Sequence, residues 1–410
     1  MIYLLLSSGV RVATRISFQL AAQTLRGDDL AHIFKRRGIA RILIAIPSAT
    51  VSQMREIVAR CHEAQISFRT MPPISEILLD RGLTRQIRDV AVEDLLGRGS
   101  VRLDDETIRA KIEDRVVLIT GAAGSIGSEL CRQVARYRPA MLAGFGVAER
   151  ALFYLERGIS EAFPDLDFRA EIGIIQNPER LRELFAAWRP SLVLHAAACK
   201  HVPLMEKHMF EAAGNNILGS SNPGRIAGEF AIEHFVMISS DNAVNPTDIM
   251  GAGKRAAELL IRSLQNRRAR YISVRFGNVL ASNKSVVPIF KQQVAAGGPT
   301  TTTHPDMQRY FMTIPETAWL VLQACAMGRG EEIFVLDTGK PVKIVELARQ
   351  LIRLFGLEPD EDIRIEFTRM RPGEKLYEEF PTDGENILPT DHEKIKRFAG
   401  SGLSPERAAA

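Results

Sequence analysis

Apolar and polar positions alternate along this chain in two distinct ways. Short apolar runs, closed by glycine, proline or small polar residues, read as strands buried on both faces. Longer stretches with apolar positions three and four apart read as helices laid over them. From Arg115 onward the alternation is regular. Residues 116–120, 141–145, 168–172, 192–198, 235–239 and 271–276 are strand candidates, with helical patterns between them. Strands alternating with helices over this length predict an α/β fold, a doubly wound parallel sheet covered on both faces. A smaller β-α-β unit precedes it: an apolar run over 39–46 stopped by Pro47, a helix capped by Ser48 with Val51, Met54, Ile57 and Val58 on one face, and a strand over 66–71.

These patterns divide the chain. Residues 1–24 stay unassigned, and 25–105 form a small N-terminal α/β domain. The main domain covers 106–400, with a nucleotide-binding core at 112–280 and a small C-terminal substrate lobe built mainly from 281–385. Residues 401–410 are a tail. The apolar run at 2–6 falls far short of the roughly 20 residues a bilayer span needs, so no membrane span is expected.

Composition narrows the partners. A net charge of +4 over 410 residues is small for a nucleic-acid binder, and suits a polyphosphate ligand instead. Four cysteines, Cys61, Cys131, Cys199 and Cys325, lie far apart without a CxxC spacing. Neither a disulfide framework nor a metal site is expected, and a reducing cytoplasm is the natural setting.

The chemistry concentrates at strand ends. Gly121, Gly124 and Gly127 follow the first strand of the main domain and open a helix that begins with Ser125 and Ile126. The backbone must approach a pyrophosphate closely there, and the helix N-terminus supplies free N–H groups and partial positive charge. The GxxGxxG spacing is that of short-chain dehydrogenases, which makes the sheet Rossmann-type. An acid to hold the adenosine ribose is expected after the second strand. Gly146 and, after the third strand, Ile174 stand at those ends, so the adenosine end has lost two polar contacts. After the fifth strand come Asp241 and Asn242, then Met250 and Lys254 at i, i+4 on one helix face. That is the YxxxK layout with methionine for tyrosine, and a thioether cannot exchange protons. His195 reads as a packed strand-end histidine.

With these residues in hand, the chain resembles the bacterial nucleotide-sugar 4,6-dehydratases of polysaccharide biosynthesis, which are extended short-chain dehydrogenases. The matching stretches are 121–129, HAAACKHVPLME at 195–206, 239–255, VRFGNVL at 274–280, HPDMQRYFMTIPE at 304–316 and RPGEKLYEE at 371–379. The resemblance implies a UDP-sugar substrate such as UDP-N-acetylglucosamine, bound NAD or NADP recycled within each turnover, and a homo-oligomer. It assigns Asp241, Asn242, Met250 and Lys254 to the catalytic positions. Ala197, Lys200 and Lys254 join the glycine loop at the cofactor, and His201, Glu206, Asn278 and Glu374 contact substrate. Arg275, Arg309 and Arg371 face the uridine diphosphate, where a planar guanidinium can bond two oxygens at once. Asn242 replaces the family's lysine beside Asp241, which implies slow turnover. An impaired nucleotide-sugar-binding homologue and a sugar-nucleotide epimerase are the alternatives. Pro223 falls where the family runs helix, and predicts a late helix start capped by Asn222.

Overall fold

The computed structural model describes residues 2–5, 13–16, 41–44, 51–63, 67–70, 104–264, 269–282, 285–379 and 387–398. Pro47, Ser48 and the tail at 401–410 lie outside them. The chain forms two compact units. The first gathers residues 1–100, 287–302 and 344–367, and the second gathers 101–286, 303–343 and 368–410.

In the first unit, strands Arg41–Ile44 and Ser67–Thr70 pair in parallel around helix Val51–Glu63. Met54, Val58 and Cys61 form the buried stripe of that helix. The sheet is larger than the pattern showed. Ile2–Leu5 pairs antiparallel with both Ala13–Ile16 and Arg41–Ile44, so the unassigned start supplies two strands. A four-residue run has too little sequence to declare a period. Its backbone partners, distant in the chain, make it a strand.

The second unit is built on β1 (Val116–Thr120), β2 (Met141–Gly146), β3 (Phe168–Ile172), β4 (Leu192–His195), β5 (His234–Ile238), β6 (Arg270–Arg275) and β7 (Ile333–Leu336). They run parallel in the order β3-β2-β1-β4-β5-β6-β7. Beyond β7, β8 (Ile387–Pro389) and β9 (Ile395–Phe398) add two antiparallel strands. Successive side chains along each strand point to opposite faces, and each face has its own core. Val117, Ile119, Leu192, Leu194, Val236 and Val274 pack against helices α1 (Asp105–Ile112), α2 (Ser125–Arg136), α3 (Glu149–Ala162) and, later in the chain, Ile314–Met327. Leu118, Val193, Phe235, Met237 and Tyr271 pack on the other face against α4 (Pro178–Trp188), α5 (Gly219–Glu229) and α6 (Ile249–Ser263). This is the Rossmann-type doubly wound sheet that the alternation predicts. The strand order reverses between β1 and β4, where such sheets open a ligand crevice at their carboxyl ends.

Pro223 does not delay its helix. α5 begins four residues earlier at Gly219 and carries Pro223 inside it, directly after a π-helical turn at Gly214–Leu218. The neighbours hold the segment in place. Asn222 Nδ2 donates to Ile175 O and Gln176 O at 3.4 and 3.1 Å, and Tyr271 Oη donates to Gly224 O at 3.0 Å. A Cβ on Gly224 would come within 2.4 Å of Ile261 Cδ1, so glycine there lets α5 approach α6. Tertiary packing has overridden the local cost of proline and glycine, about 3 and 1 kcal/mol in an isolated helix. Gly253 likewise leaves α6 unbroken over fifteen residues.

Candidate active site

The glycine loop is closed by its own backbone. Gly121 sits at φ +70°, and a Cβ there would lie 2.6–2.7 Å from the Ala196–Ala197 backbone that follows β4. A Cβ on Gly127 would lie 2.2 Å from Gly121 O. Gly124 N–H donates to Gly121 O at 2.9 Å and ties the turn. Asp104, Asn177, Asp248 and Thr313 each cap a helix with a side chain, whereas the cap position of α2 is Gly124, with nothing to offer, and its first turn holds no acid. The positive end of α2 therefore has no capping side chain and no acid in its first turn. A cleft of about 370 Å³ opens here, lined by Ala123, Gly124, Ser125, Ser128, Ala281 and Pro315 among others. These features fit the pyrophosphate of a dinucleotide.

Lys254 reaches the same edge of the sheet from α6. It is buried, its Nζ donates to Ile238 O at the end of β5 at 2.8 Å, and burial lowers its pKa to about 8. His195, at the end of β4, is a core residue. Nδ1 meets Thr120 Oγ1 at 2.7 Å, Nε2 meets Ser220 Oγ at 3.0 Å, and burial, then Lys254, lowers its pKa to about 3. Met250 is buried with Met205 and Ala212, where a thioether packs and does no acid–base work. Lys200 Nζ donates to Ser282 Oγ at 3.0 Å, and desolvation holds it below the usual lysine value.

Asp241 opens a 3₁₀ turn, Asp241–Ala243, directly after β5. Its Oδ1 accepts from Ser240 Oγ at 2.8 Å and from the Asn242 backbone N–H at 2.9 Å. Burial raises its pKa. Asn278, after β6, donates through Nδ2 to both oxygens of Glu378 at 2.8 and 3.0 Å. Arg309 Nε lies 3.0 Å from Glu378 Oε1, while its other nitrogens donate to the carbonyls of Gln308, Lys375 and Leu376.

Several expected ligands have other duties. Arg275 does not face a diphosphate. It is 1% exposed, in the core, and its Nε and Nη2 donate to Glu258 Oε1 and Oε2, each at 2.7 Å. The residue lies inside β6, not beyond its end, so its side chain points into the face that α6 covers. Arg309 is likewise turned to Glu378 and backbone carbonyls. Glu206 Oε1 accepts from Ile249 N–H at 2.7 Å and caps α6. Glu374 accepts the Arg371 N–H at 3.0 Å and closes the turn around Gly373. That turn packs on Val202, Glu206 and Asp248. Arg371 stays exposed, and His201 is half-buried at the start of the short helix Val202–Met205.

Residues 117–399 match the family described as polysaccharide biosynthesis protein. The chain belongs to that family. It is 46% identical over 373 residues to the capsular polysaccharide biosynthesis protein CapD of Staphylococcus aureus, covering 90% of this chain and 62% of that protein. The chain thus spans less than two thirds of that relative's length. Among solved structures it is similar to Pen from Bacillus thuringiensis, with 29% identity and a TM-score of 0.65 over 72% of this chain and 96% of the other. The fold also matches DesIV, a dTDP-glucose 4,6-dehydratase from Streptomyces venezuelae solved with NAD and TYD bound. That match has 19% identity and a TM-score of 0.56 over 62% of this chain and 85% of the other. No helix among the described residues is long and apolar enough to cross a membrane. The four cysteines are free.

Sequence reasoning missed two members of the site, Glu378 and Asn216, and one core partner, Glu258. Glu378 sits in RPGEKLYEE, which holds three acids, and nothing local says which of them turns inward. Asn216 is fully buried in the π-helical turn, donating through Nδ2 to Cys199 O at 2.9 Å and accepting Cys199 N–H at 2.8 Å, so it fixes the loop that carries Lys200. Glu258, the partner of Arg275, reads as an ordinary surface position on a helix.

Proposed function

We propose that this chain is a nucleotide-sugar 4,6-dehydratase that converts UDP-N-acetylglucosamine to its 4-keto-6-deoxy product in surface polysaccharide biosynthesis. The observation that carries this reading is the placement of the glycine cradle, Lys254 and Asp241 along one edge of the sheet, on the carboxyl ends of β1 and β5. The glycine loop and α2 would hold the pyrophosphate of NAD or NADP, and Lys254 the nicotinamide ribose hydroxyls. A nicotinamide, when bound, would supply reversible hydride acceptance for the sugar. The chain's own task is then proton transfer, at the C4 hydroxyl, at C5 and at the departing C6 hydroxyl. Asp241 stands where such a group is needed, buried and with its proton affinity raised. Family membership and the match to a capsular polysaccharide protein support the pathway.

The test is incubation of purified protein with UDP-N-acetylglucosamine, with products followed by NMR. A 4-keto-6-deoxy sugar is expected. A C4 epimer would make the chain an epimerase, and binding without product would make it a nucleotide-sugar-binding homologue.

The adenosine end yields a separate prediction. A Cβ on Gly146 would meet its nearest atoms, Ala122 N, Ala123 Cβ and Ala123 N, at 3.9 Å, which is ordinary contact. Gly146→Asp therefore fits and restores a ribose acceptor. Recovery of about 1.4 kcal/mol tightens NAD binding roughly tenfold. Calorimetry on protein stripped of dinucleotide checks it, and equal affinities would contradict it.

A further inference from the structure

We infer that Glu378 is a second proton-handling residue of this site, sharing one proton with Asp241 and forming with it the acid–base couple of the elimination. The reaction it serves rests on the dehydratase reading above. The pair itself rests on geometry. Asp241 enters from the turn after β5, and Glu378 from the irregular segment 368–379. Asp241 Oδ2 lies 3.3 Å from where a Cβ on Gly277 would stand, and the next residue, Asn278, holds both oxygens of Glu378, which brings the two carboxyls together. Two carboxylates offer only acceptors, so the contact closes only when one of them is protonated. Counted as a carboxylate oxygen, Asp241 Oδ2 is buried with no hydrogen-bond partner. A proton between the two groups supplies the missing donor.

The surroundings favour one proton rather than none or two. The Asp241 side chain lies in a residue 6% exposed, and the Glu378 side chain is 5% exposed. Two like charges this close and this dry cannot both form cheaply. Burial raises both groups, and the charge of Asp241 raises Glu378 further. Against a second proton stand Arg309 and the Asn278 amide on Glu378, and the Ser240 hydroxyl and Asn242 N–H on Asp241. The remaining charged neighbours are engaged elsewhere. Lys375 Nζ donates to Val244 O and Asn245 O, and Asp248 caps α6.

A singly protonated pair contains an acid and a base at once, which a lone Asp241 does not. Asn242 cannot complete the couple, because an amide neither gives nor takes protons near neutral pH. In the elimination, the ionised carboxyl takes the C5 proton. The C5–H electron pair becomes the C5=C6 π bond and the C6–O bond breaks. The protonated carboxyl gives its proton to the leaving hydroxyl, which departs as water. One proton is gained and one given, so the pair ends with the charge it began with, its proton moved to the other member.

The test has two parts on the intact protein. Infrared spectra at pH 7 are expected to show a protonated-carboxyl band that disappears in both Asp241→Asn and Glu378→Gln. Wild-type intensity in either variant overturns the shared proton. In turnover of UDP-N-acetylglucosamine, Glu378→Gln is expected to lower kcat by about 10²-fold or more, with KM and melting temperature little changed. Adding Asn242→Lys to that variant should restore at least about tenfold, by supplying a new proton carrier beside Asp241. Unchanged kcat in Glu378→Gln overturns the role, and so does faster turnover, which would make Glu378 an obstruction. If the wild type makes no 4-keto product, the dehydratase reading fails and the role in elimination falls with it. The infrared bands then still decide whether the proton is shared.

Discussion

Glu258→Gln should lower the stability of the second unit by about 3–5 kcal/mol, because it removes the carboxylate that two nitrogens of the buried Arg275 guanidinium bond. Glu258 is fully buried on α6, and both its oxygens accept from Arg275 at 2.7 Å. Arg255, 3.3 Å from Oε2, is partly exposed and adds little. The Arg275 guanidinium also lies over the ring of Phe398 on β9, 5.2 Å from its centroid. The pair therefore joins α6, β6 and the antiparallel edge of the sheet. Water cannot reach Arg275 to replace the lost partner, so the cost is desolvation of a charge rather than loss of one bond. Calorimetry should show the melting temperature falling by roughly 10 °C, given about 2–4 °C per kcal/mol for a unit of this size. Replacing both residues together, Glu258→Leu with Arg275→Met, should recover most of the loss, since neither charge is then stranded. A Glu258→Gln protein that melts with the wild type would contradict the buried pair. It would also return Arg275 to the list of diphosphate ligands.

The glycine loop should respond to alanine in a graded way. In Gly127→Ala the new Cβ would sit 2.2 Å from Gly121 O and 2.8 Å from Gly121 C, both backbone atoms of the same closed turn. Neither can give way without opening the β1–α2 junction. Gly121→Ala faces backbone at 2.6 Å and a φ of +70°, which L side chains rarely adopt. Gly124→Ala meets only Gly121 O, at 3.1 Å, and its φ of −77° is ordinary. We expect Gly127→Ala and Gly121→Ala to abolish measurable NAD binding, and to destabilise by about 2–4 kcal/mol as overpacked sites do. Gly124→Ala should cost under about 1 kcal/mol and weaken binding only partially. Titration calorimetry and thermal melts on the three variants check the order. Equal effects at Gly124 and Gly127 would mean that the loop does not close as described.

Much of this was legible in the chain before any coordinates. The apolar runs at 116–120, 141–145, 168–172, 192–198, 235–239 and 271–276 could only be satisfied by burial on both faces. Strands β1 to β6 accordingly lie within a residue or two of those limits, with 192–198 ending earlier, at His195. Strand ends are also visible, because glycine and small polar residues punctuate them. The loops at 121–127 and 239–242 were therefore legible as the carboxyl ends of β1 and β5. What each side chain does there was less legible. Arg275 and Arg309 look alike in sequence, yet one lies inside β6 against α6 and the other is held by Glu378. Pro223 promised a late helix start, and packing of the next residue, Gly224, against Ile261 and Tyr271 carried α5 through it. Glu378 is 137 positions from Asp241, and no local period connects them. Sequence determines which segments must hide from water, since that depends on each residue's own solvation. Which polar groups meet inside depends on residues far apart in the chain, and only the tertiary structure decides it.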